Sequence, residues 1–209
     1  MKGQVSIFII IGIVLLLIVG FAVYFTTMEK SSFSQIARLP PKLQPVHDAV
    51  SECISQVATD GLVKLGQTGG YIDTNSLLAH PFLSTEGNAV QFSPNSDFSV
   101  ASWWFMKSKD ACKQDCEFSS KRPPLTRRQG GGSIQEQIED YVNNNVGACV
   151  SNIDVPGCSL VLSDPSLAVD IADSITISGK YPVQVRCDQQ SSELDSFGVV
   201  LDLNLFEIY

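Results

Sequence analysis

The sequence is poor in the residues from which catalytic and metal sites are usually built. It has two histidines, His47 and His80, and neither stands in a His-Glu-x-x-His pattern. The segment Gly66-Gln67-Thr68-Gly69-Gly70 is rich in glycine, but it lacks the Lys-Ser/Thr ending of a phosphate-binding loop and does not follow a strand. We read the histidines as surface or capping residues and the glycines as a helix stop. The expectation is a protein that is not an enzyme, with no catalytic residue, metal or cofactor.

Charged residues are also scarce, at 17% of the chain, and the net charge is -8. Because an acidic protein repels phosphate backbones, nucleic-acid binding is not expected. Lys and Arg nevertheless gather in one segment, which we interpret as a solvated loop face: Lys107, Lys109, Lys113, Lys121, Arg122, Arg127 and Arg128. No asparagine heads an Asn-x-Ser/Thr sequon, so glycosylation gives no evidence of exposure.

A long uncharged run lies near the N-terminus, between Lys2 and Glu29. Its apolar part, from Val5 to about Thr26, is roughly 33 Å long as a helix, which suffices to cross a hydrocarbon core of about 30 Å. A cleavable secretory signal has a shorter apolar core and a small-x-small site, which is missing here. Residues 1–30 are therefore predicted to form a membrane-spanning helix, with the rest of the chain on the outer side.

The residues Lys2-Gly3-Gln4-Val5-Ser6 and the apolar run after them resemble the class III signal peptides of archaeal type IV pilin-like proteins. The resemblance implies cleavage between Gly3 and Gln4, with the apolar helix retained as the core of a filament. The residues expected to pack in that core are Phe8, Ile11, Val14 and Leu17. Phe8 stands where the family usually has Glu, and the likeness is confined to the N-terminal segment. A plain membrane anchor is the alternative, and both interpretations stay open.

Six cysteines follow the apolar run, and an even number beyond a membrane helix favours disulfides in an oxidising compartment. Cys53 and Cys149 each fall on the apolar face of a predicted helix, so they can bond if those helices pack together. We favour three pairs, of which only the first has this support: Cys53–Cys149, Cys112–Cys116 and Cys158–Cys187.

Residues 31–45 are predicted to be a stalk or hinge, because Pro40-Pro41 interrupts any continuous helix. Residues 46–209 are predicted to form one extracytoplasmic domain of α+β class, with two helices packed on an antiparallel sheet. The segment near 106–132 contains the run RPPLTRRQGGG and is expected to be an exposed, mobile loop.

The two helices and the sheet are predicted from periodicity and capping signals. One helix is expected from Gln44 to about Leu65, and another after the capping box Ser133-x-x-Glu136. Alternating apolar residues predict an antiparallel meander from Ser159 onward, with its last strand running from Val199 to Leu205. Turns within it are expected at Ser178-Gly179-Lys180 and from Asp188 to Ser196.

Trp103 and Trp104 admit two interpretations. Within the triplet Trp103-Trp104-Phe105 they suit a half-buried strand, and we favour a core or partly buried position. Together with the basic segment they would instead form a contact surface, because Trp and Arg often anchor interfaces.

The leading functional expectation is a non-enzymatic, single-pass structural protein of the cell surface. It would be anchored by its apolar helix, or assembled through that helix with copies of itself into a filament. The alternative is a membrane-tethered binding module that recognises a partner cell, a glycan or a protein through Trp103 and Trp104.

Overall fold

The computed structural model describes residues 14, 16–17, 40–41, 43–80, 87–93, 96, 98–108, 112–187 and 190–209. The chain divides into two units, Met1–Pro41 and Lys42–Tyr209, and the division lies inside the segment expected to be a stalk. Within the described ranges, no helix combines the length and the apolar character that a membrane crossing requires.

Two long helices form one layer of the second unit. Helix α1 (Gln44–Thr68) ends at Gly69, whose left-handed backbone (φ 75°) lets its N–H bond back to the Leu65 carbonyl. Helix α2 (Ile134–Val150) begins at Ser133, whose hydroxyl accepts a hydrogen bond from the Glu136 N–H. The Glu136 carboxylate in turn accepts the Ser133 N–H, and these bonds lower the pKa of Glu136. The predicted capping box is confirmed.

Two short antiparallel sheets lie between the helices along the chain. Strand β1 (Ala89–Gln91) pairs with β2 (Ser99–Ala101), and β3 (Phe105–Met106) pairs with β4 (Phe118–Ser119). The segment predicted as an exposed loop near 106–132 contains one short strand pairing, at Met106 and Phe118–Ser119. The described residues 107–108, 112–117 and 120–132 have no helix or strand, although Leu125 and Pro123 are buried.

Four antiparallel strands form the second layer: β5 (Cys158–Leu162), β6 (Ser166–Ile171), β7 (Ile175–Cys187) and β8 (Gln190–Leu201). One edge of β7 pairs with β8. Its other edge pairs with β6 near its start and with β5 near its end. Helix α2 packs on β6, and helix α1 packs on both α2 and β8. The fold is a mixture of helices and antiparallel sheets, as predicted.

The core lies between the helices and the inward face of this sheet. Alternation along β6 buries Leu167, Val169 and Ile171 and exposes the residues between them. Helix α2 presents Ile138 and Val142 to the core, and both side chains are fully buried. Each such side chain contributes roughly 1.5–3 kcal/mol when removed from water.

Three disulfides reinforce the second unit, and they are the three pairs favoured from the sequence. They join α1 to α2, link two residues of the connection between β3 and β4, and link β5 to β7: Cys53–Cys149, Cys112–Cys116 and Cys158–Cys187. The first spans 96 residues, so it restricts the unfolded chain most. The loop-entropy argument assigns it about 4–5 kcal/mol, against about 2 kcal/mol for the bond at the hairpin.

Gly179 lies inside strand β7, so the predicted turn at Ser178-Gly179-Lys180 was wrong. A Cβ atom at this position would overlap the Ser166 carbonyl oxygen and the Leu167 Cα of β6. The glycine is needed for a close approach of two strands, which a sequence does not distinguish from a turn.

Two boundaries of the last strand also differ from prediction. Strand β8 begins at Gln190, within the expected turn from Asp188 to Ser196, because it pairs with β7 almost from the end of that strand. It ends at Leu201, and Leu205 begins a short helix, α3 (Leu205–Ile208), which is capped by the Asn204 side chain.

Substitution of Gly179 by alanine should lower the free energy of unfolding by about 2–3 kcal/mol, because the added methyl group displaces β6. Gly66→Ala is the matched control, since its Cβ would meet nothing within 4 Å in helix α1. It should raise stability by up to about 1 kcal/mol. Urea unfolding followed by far-UV circular dichroism measures both. Equal stability of the two variants would contradict the close approach.

Candidate aromatic surface

The processing and helix-packing residues predicted at the N-terminus are only partly described. Gly3, Gln4, Phe8 and Ile11 lie outside the described residues. Val14 and Leu17 are helical, and both side chains are largely exposed. Exposed aliphatic side chains of this kind suit contact with lipid and contact with neighbouring helices equally.

Trp103 is fastened to the end of helix α1. Its indole N–H donates to the Gly69 carbonyl at 2.8 Å, and its ring meets the Tyr209 ring edge-on at 5.2 Å between centroids. The Arg122 guanidinium lies over both rings, 5.0 Å from the Trp103 centroid and 4.1 Å from that of Tyr209. Trp103 is consequently 40% exposed and belongs to a packed cluster.

Hydrogen bonds tie this cluster to the irregular segment after β4. The Tyr209 hydroxyl donates to the Pro123 carbonyl, and Arg122 donates to the Tyr209 carbonyl. Nearby, the Tyr71 hydroxyl donates to the Lys121 carbonyl at 2.9 Å. Burial raises the pKa of both tyrosines. The cluster thus holds the ends of α1 and α3 and residues 121–123 together.

Trp104 makes different contacts and is 70% exposed. Its ring stacks on Phe118 of strand β4, with centroids 5.8 Å apart and planes 10° from parallel, and Phe118 is itself 53% exposed. The core interpretation of the Trp-Trp-Phe triplet was therefore wrong for Trp104. The triplet leads into the separate two-stranded sheet of β3 and β4. So small a sheet does not bury the rings of both Trp103 and Trp104.

We call residues 103–122 the aromatic hairpin, since they contain β3, β4, the Cys112–Cys116 bond and the Trp104–Phe118 pair. The basic residues predicted to cluster belong to this hairpin and to the segment that follows it. Seven of the 14 Lys and Arg, but only three of the 22 Asp and Glu, fall in residues 106–132. This stretch carries a net charge of +4 in a chain of -8.

Some of these cations have structural partners. Arg127 contacts Glu139 at 2.8 Å and Glu136 at 3.5 Å, which ties the irregular segment to helix α2. Lys107 pairs with Glu117 across the hairpin at 3.6 Å, with both side chains exposed. Such an exposed pair contributes little to stability and leaves the charges near the surface.

The cysteines and His47 of the second unit make structural contacts. The six cysteines are all in disulfides, and the described residues contain no group of three or more His, Cys, Asp or Glu side chains able to hold a metal. His47 stacks on Phe197 with ring centroids 5.1 Å apart. A cavity of about 460 Å³ lies between α1 and the end of β8, lined by Leu62, Val63 and residues 200–203. Sequence patterns gave no signal for it.

No protein-family model matches this chain, and no curated protein or solved structure matches it either. What the surface can do follows from its own groups. Exposed aromatic faces and cations bind by stacking, by removal of apolar area from water and by charge.

Replacement of the two tryptophans by alanine should have unequal effects on stability. Trp103→Ala removes a hydrogen bond, an aromatic contact and a cation–π contact, so we expect a loss of about 2–3 kcal/mol. Trp104→Ala removes a mostly exposed ring, so we expect less than about 1 kcal/mol. Urea unfolding of both variants checks this. A larger loss for Trp104→Ala would show that its ring supports the core after all.

Proposed function

We propose that this protein is a non-enzymatic structural protein of the cell surface, held at a membrane by its apolar N-terminal segment. The observation that carries the proposal is the set of three disulfides in the unit that follows that segment. Disulfides persist in oxidising, extracytoplasmic compartments and are rare in the cytosol. A chain with a membrane-length apolar run and then a domain with every cysteine paired fits a single-pass anchor with the domain outside.

The same apolar segment provides a route to assembly. If cleavage occurs between Gly3 and Gln4, the retained helix has aliphatic and aromatic side chains on every side and can pack against copies of itself. Exposed Val14 and Leu17 support this half of the proposal without separating it from simple anchoring. Phe8 in place of the family's usual Glu means that such packing would be apolar at this position, in a run that has no polar side chain from Ile7 to Val23.

The N-terminal residue and the intact mass of the native protein test both halves. We expect the membrane fraction to contain the protein with a mass lower by six hydrogens than the reduced chain, because three disulfides form. A filament subunit should start at Gln4 and should also appear in sheared extracellular material. A start at Met1, found only in membranes, would reject processing and leave a tethered domain. Free thiols in a soluble cytosolic fraction would reject the whole proposal.

A second candidate function is adhesion, in which the tethered domain recognises a partner cell, glycan or protein. The exposure of the Trp104–Phe118 pair, in a part of the chain rich in Lys and Arg, favours it because aromatic residues and Arg are frequent contact anchors.

Adhesion through this pair predicts that Trp104→Ala reduces binding of the displayed protein to its partner surface by at least about tenfold, which corresponds to the loss of a strong contact residue. The variant should keep the circular dichroism spectrum of the parent. Val161→Ala is a matched control, since Val161 is an exposed apolar residue of the distant strand β5. Equal binding by all three proteins would reject adhesion through Trp104.

A further inference from the structure

We propose that the aromatic hairpin is a membrane-contact element, which places Trp104 and Phe118 in the polar–apolar boundary of an anionic lipid surface. This inference rests on the proposed membrane tether and names what the exposed aromatic pair meets. It concerns the second unit only and adds a lipid contact to the one expected of the apolar N-terminal segment.

The exposed groups of the hairpin have the chemistry of the membrane boundary. Trp is enriched there because its ring is largely apolar and its N–H is polar, while Lys and Arg lie close to lipid headgroups. The hairpin presents Trp104 and Phe118, exposed at 70% and 53%, together with the exposed cations Lys107 and Lys113. Because the two rings are stacked on each other, they form one exposed apolar patch rather than two scattered side chains.

The distribution of charge would orient the second unit over an anionic surface. Residues 106–132 carry a net charge of +4, whereas the rest of the chain carries -12. An anionic surface therefore attracts the hairpin and repels the remainder of the domain. Three acids oppose this locally: Asp110, Asp115, which lies between the two bonded cysteines in sequence, and Glu117, which is paired with Lys107. The net charge of +4 already includes all three.

The described parts of the hairpin, residues 103–108 and 112–122, are held by several contacts. The Cys112–Cys116 bond links two residues of the turn region, and at the base the Trp103 indole is hydrogen-bonded to Gly69 and packed under Arg122. Trp104, just before β3, is stacked on Phe118 of β4. Because these two rings already hold each other, their insertion costs less side-chain freedom than that of two separate rings.

The length of the connecting chain keeps the hairpin near the lipid. Fifteen residues lie between Thr26, at the end of the apolar run, and Lys42, at the start of the second unit. Even fully extended they reach at most roughly 55 Å. A domain of this size has a radius of gyration of about 15 Å, so every face of it comes within range of the surface. Tethering thereby makes a weak contact intramolecular and raises its occupancy.

These features distinguish a lipid surface from a soluble partner. A soluble protein or glycan would use the aromatic pair, and an acidic one would also use the positive charge. Neither would depend on the tether that keeps the domain near a membrane. A lipid surface uses all three, and for this reason we favour it.

The fluorescence of the full-length protein in vesicles tests the inference, because Trp103 and Trp104 are the two tryptophans of the chain. The protein is reconstituted in phosphatidylcholine vesicles with about one third phosphatidylglycerol, with and without brominated acyl chains, which quench tryptophan at the membrane boundary. Flotation first establishes that the protein is bound. The difference in fluorescence between the parent and Trp104→Phe gives the signal of Trp104. In a folded Trp103→Phe variant, Trp104 is the remaining tryptophan and its signal is measured directly.

We expect brominated lipid to quench the Trp104 contribution by about twofold or more and to quench Trp103 much less, because Trp103 is packed against Tyr209. Quenching should weaken in pure phosphatidylcholine, and also in Lys107→Glu/Lys113→Glu, which reverses two exposed charges of the hairpin. Lys180→Glu, on strand β7, is the matched charge control and should leave quenching unchanged.

The possible failures are separable. Protein that floats with the vesicles while Trp104 is not quenched by bromine overturns the inference and leaves the tether intact. Trp104 that is shielded from aqueous acrylamide but not quenched by lipid would mean that a second copy or another protein covers it, which also overturns the inference. Protein that does not float at all refutes the tether, and the inference falls with it.

Discussion

The packing of helix α1 against helix α2, cross-linked by Cys53–Cys149, is the constraint on which the rest of the second unit depends. The end of α1 and the start of α2 are held together by one side chain, Gln137. Its amide nitrogen donates to the Gly70 carbonyl at 3.0 Å, and its oxygen accepts the Ile72 N–H at 2.9 Å. This bridge fixes the chain where it leaves α1.

The position of the aromatic surface follows from that junction. Gly69, the residue that ends α1, provides the carbonyl to which Trp103 donates. Gly70 beside it has no room for a side chain, since a Cβ would overlap the Pro123 ring. The helix pair thus positions the base of the aromatic hairpin from one side and the segment carrying Arg122 from the other. Loss of the contact between α1 and α2 would therefore disturb the cluster of Trp103, Arg122 and Tyr209 more directly than the Trp104–Phe118 pair.

Local patterns carried most of the fold, and tertiary contacts account for what they missed. The helices, the capping box at Ser133 and the alternation in β6 depend on patterns that lie within short stretches of the chain. Each could therefore be predicted from the sequence. The pairing of Cys53 with Cys149 followed from helix faces. Gly179 was misread because a close strand approach and a turn both select glycine.

The candidate site was predictable only in its composition. Trp103 and Trp104 are neighbours of one residue type, and no periodicity separates a half-buried cluster member from an exposed one. What separates them is contact with Gly69, 34 residues away, and with Arg122 and Tyr209, which are themselves 87 residues apart. Sequence separation of this size leaves no local signal. The basic segment could be recognised from composition. Its place on a disulfide-containing hairpin with exposed aromatic rings could be recognised only from the structure.

The two proposed roles of the protein place different demands on the same domain. A tethered copy keeps the start of its second unit within about 55 Å of the lipid, so that its aromatic hairpin can reach an anionic surface. A copy assembled into a filament would leave that surface. Its exposed Trp104 and Phe118 would then have to pack against another molecule, or their apolar area would stay exposed to water, which is unfavourable. Packing of the N-terminal segment in a filament and lipid contact of the hairpin exclude each other. The free energy of the lipid contact therefore opposes filament assembly, and the free energy of filament packing opposes the lipid contact. Removal of the aromatic pair by Trp104→Ala would then shift the protein from membrane to filament rather than simply reduce its function.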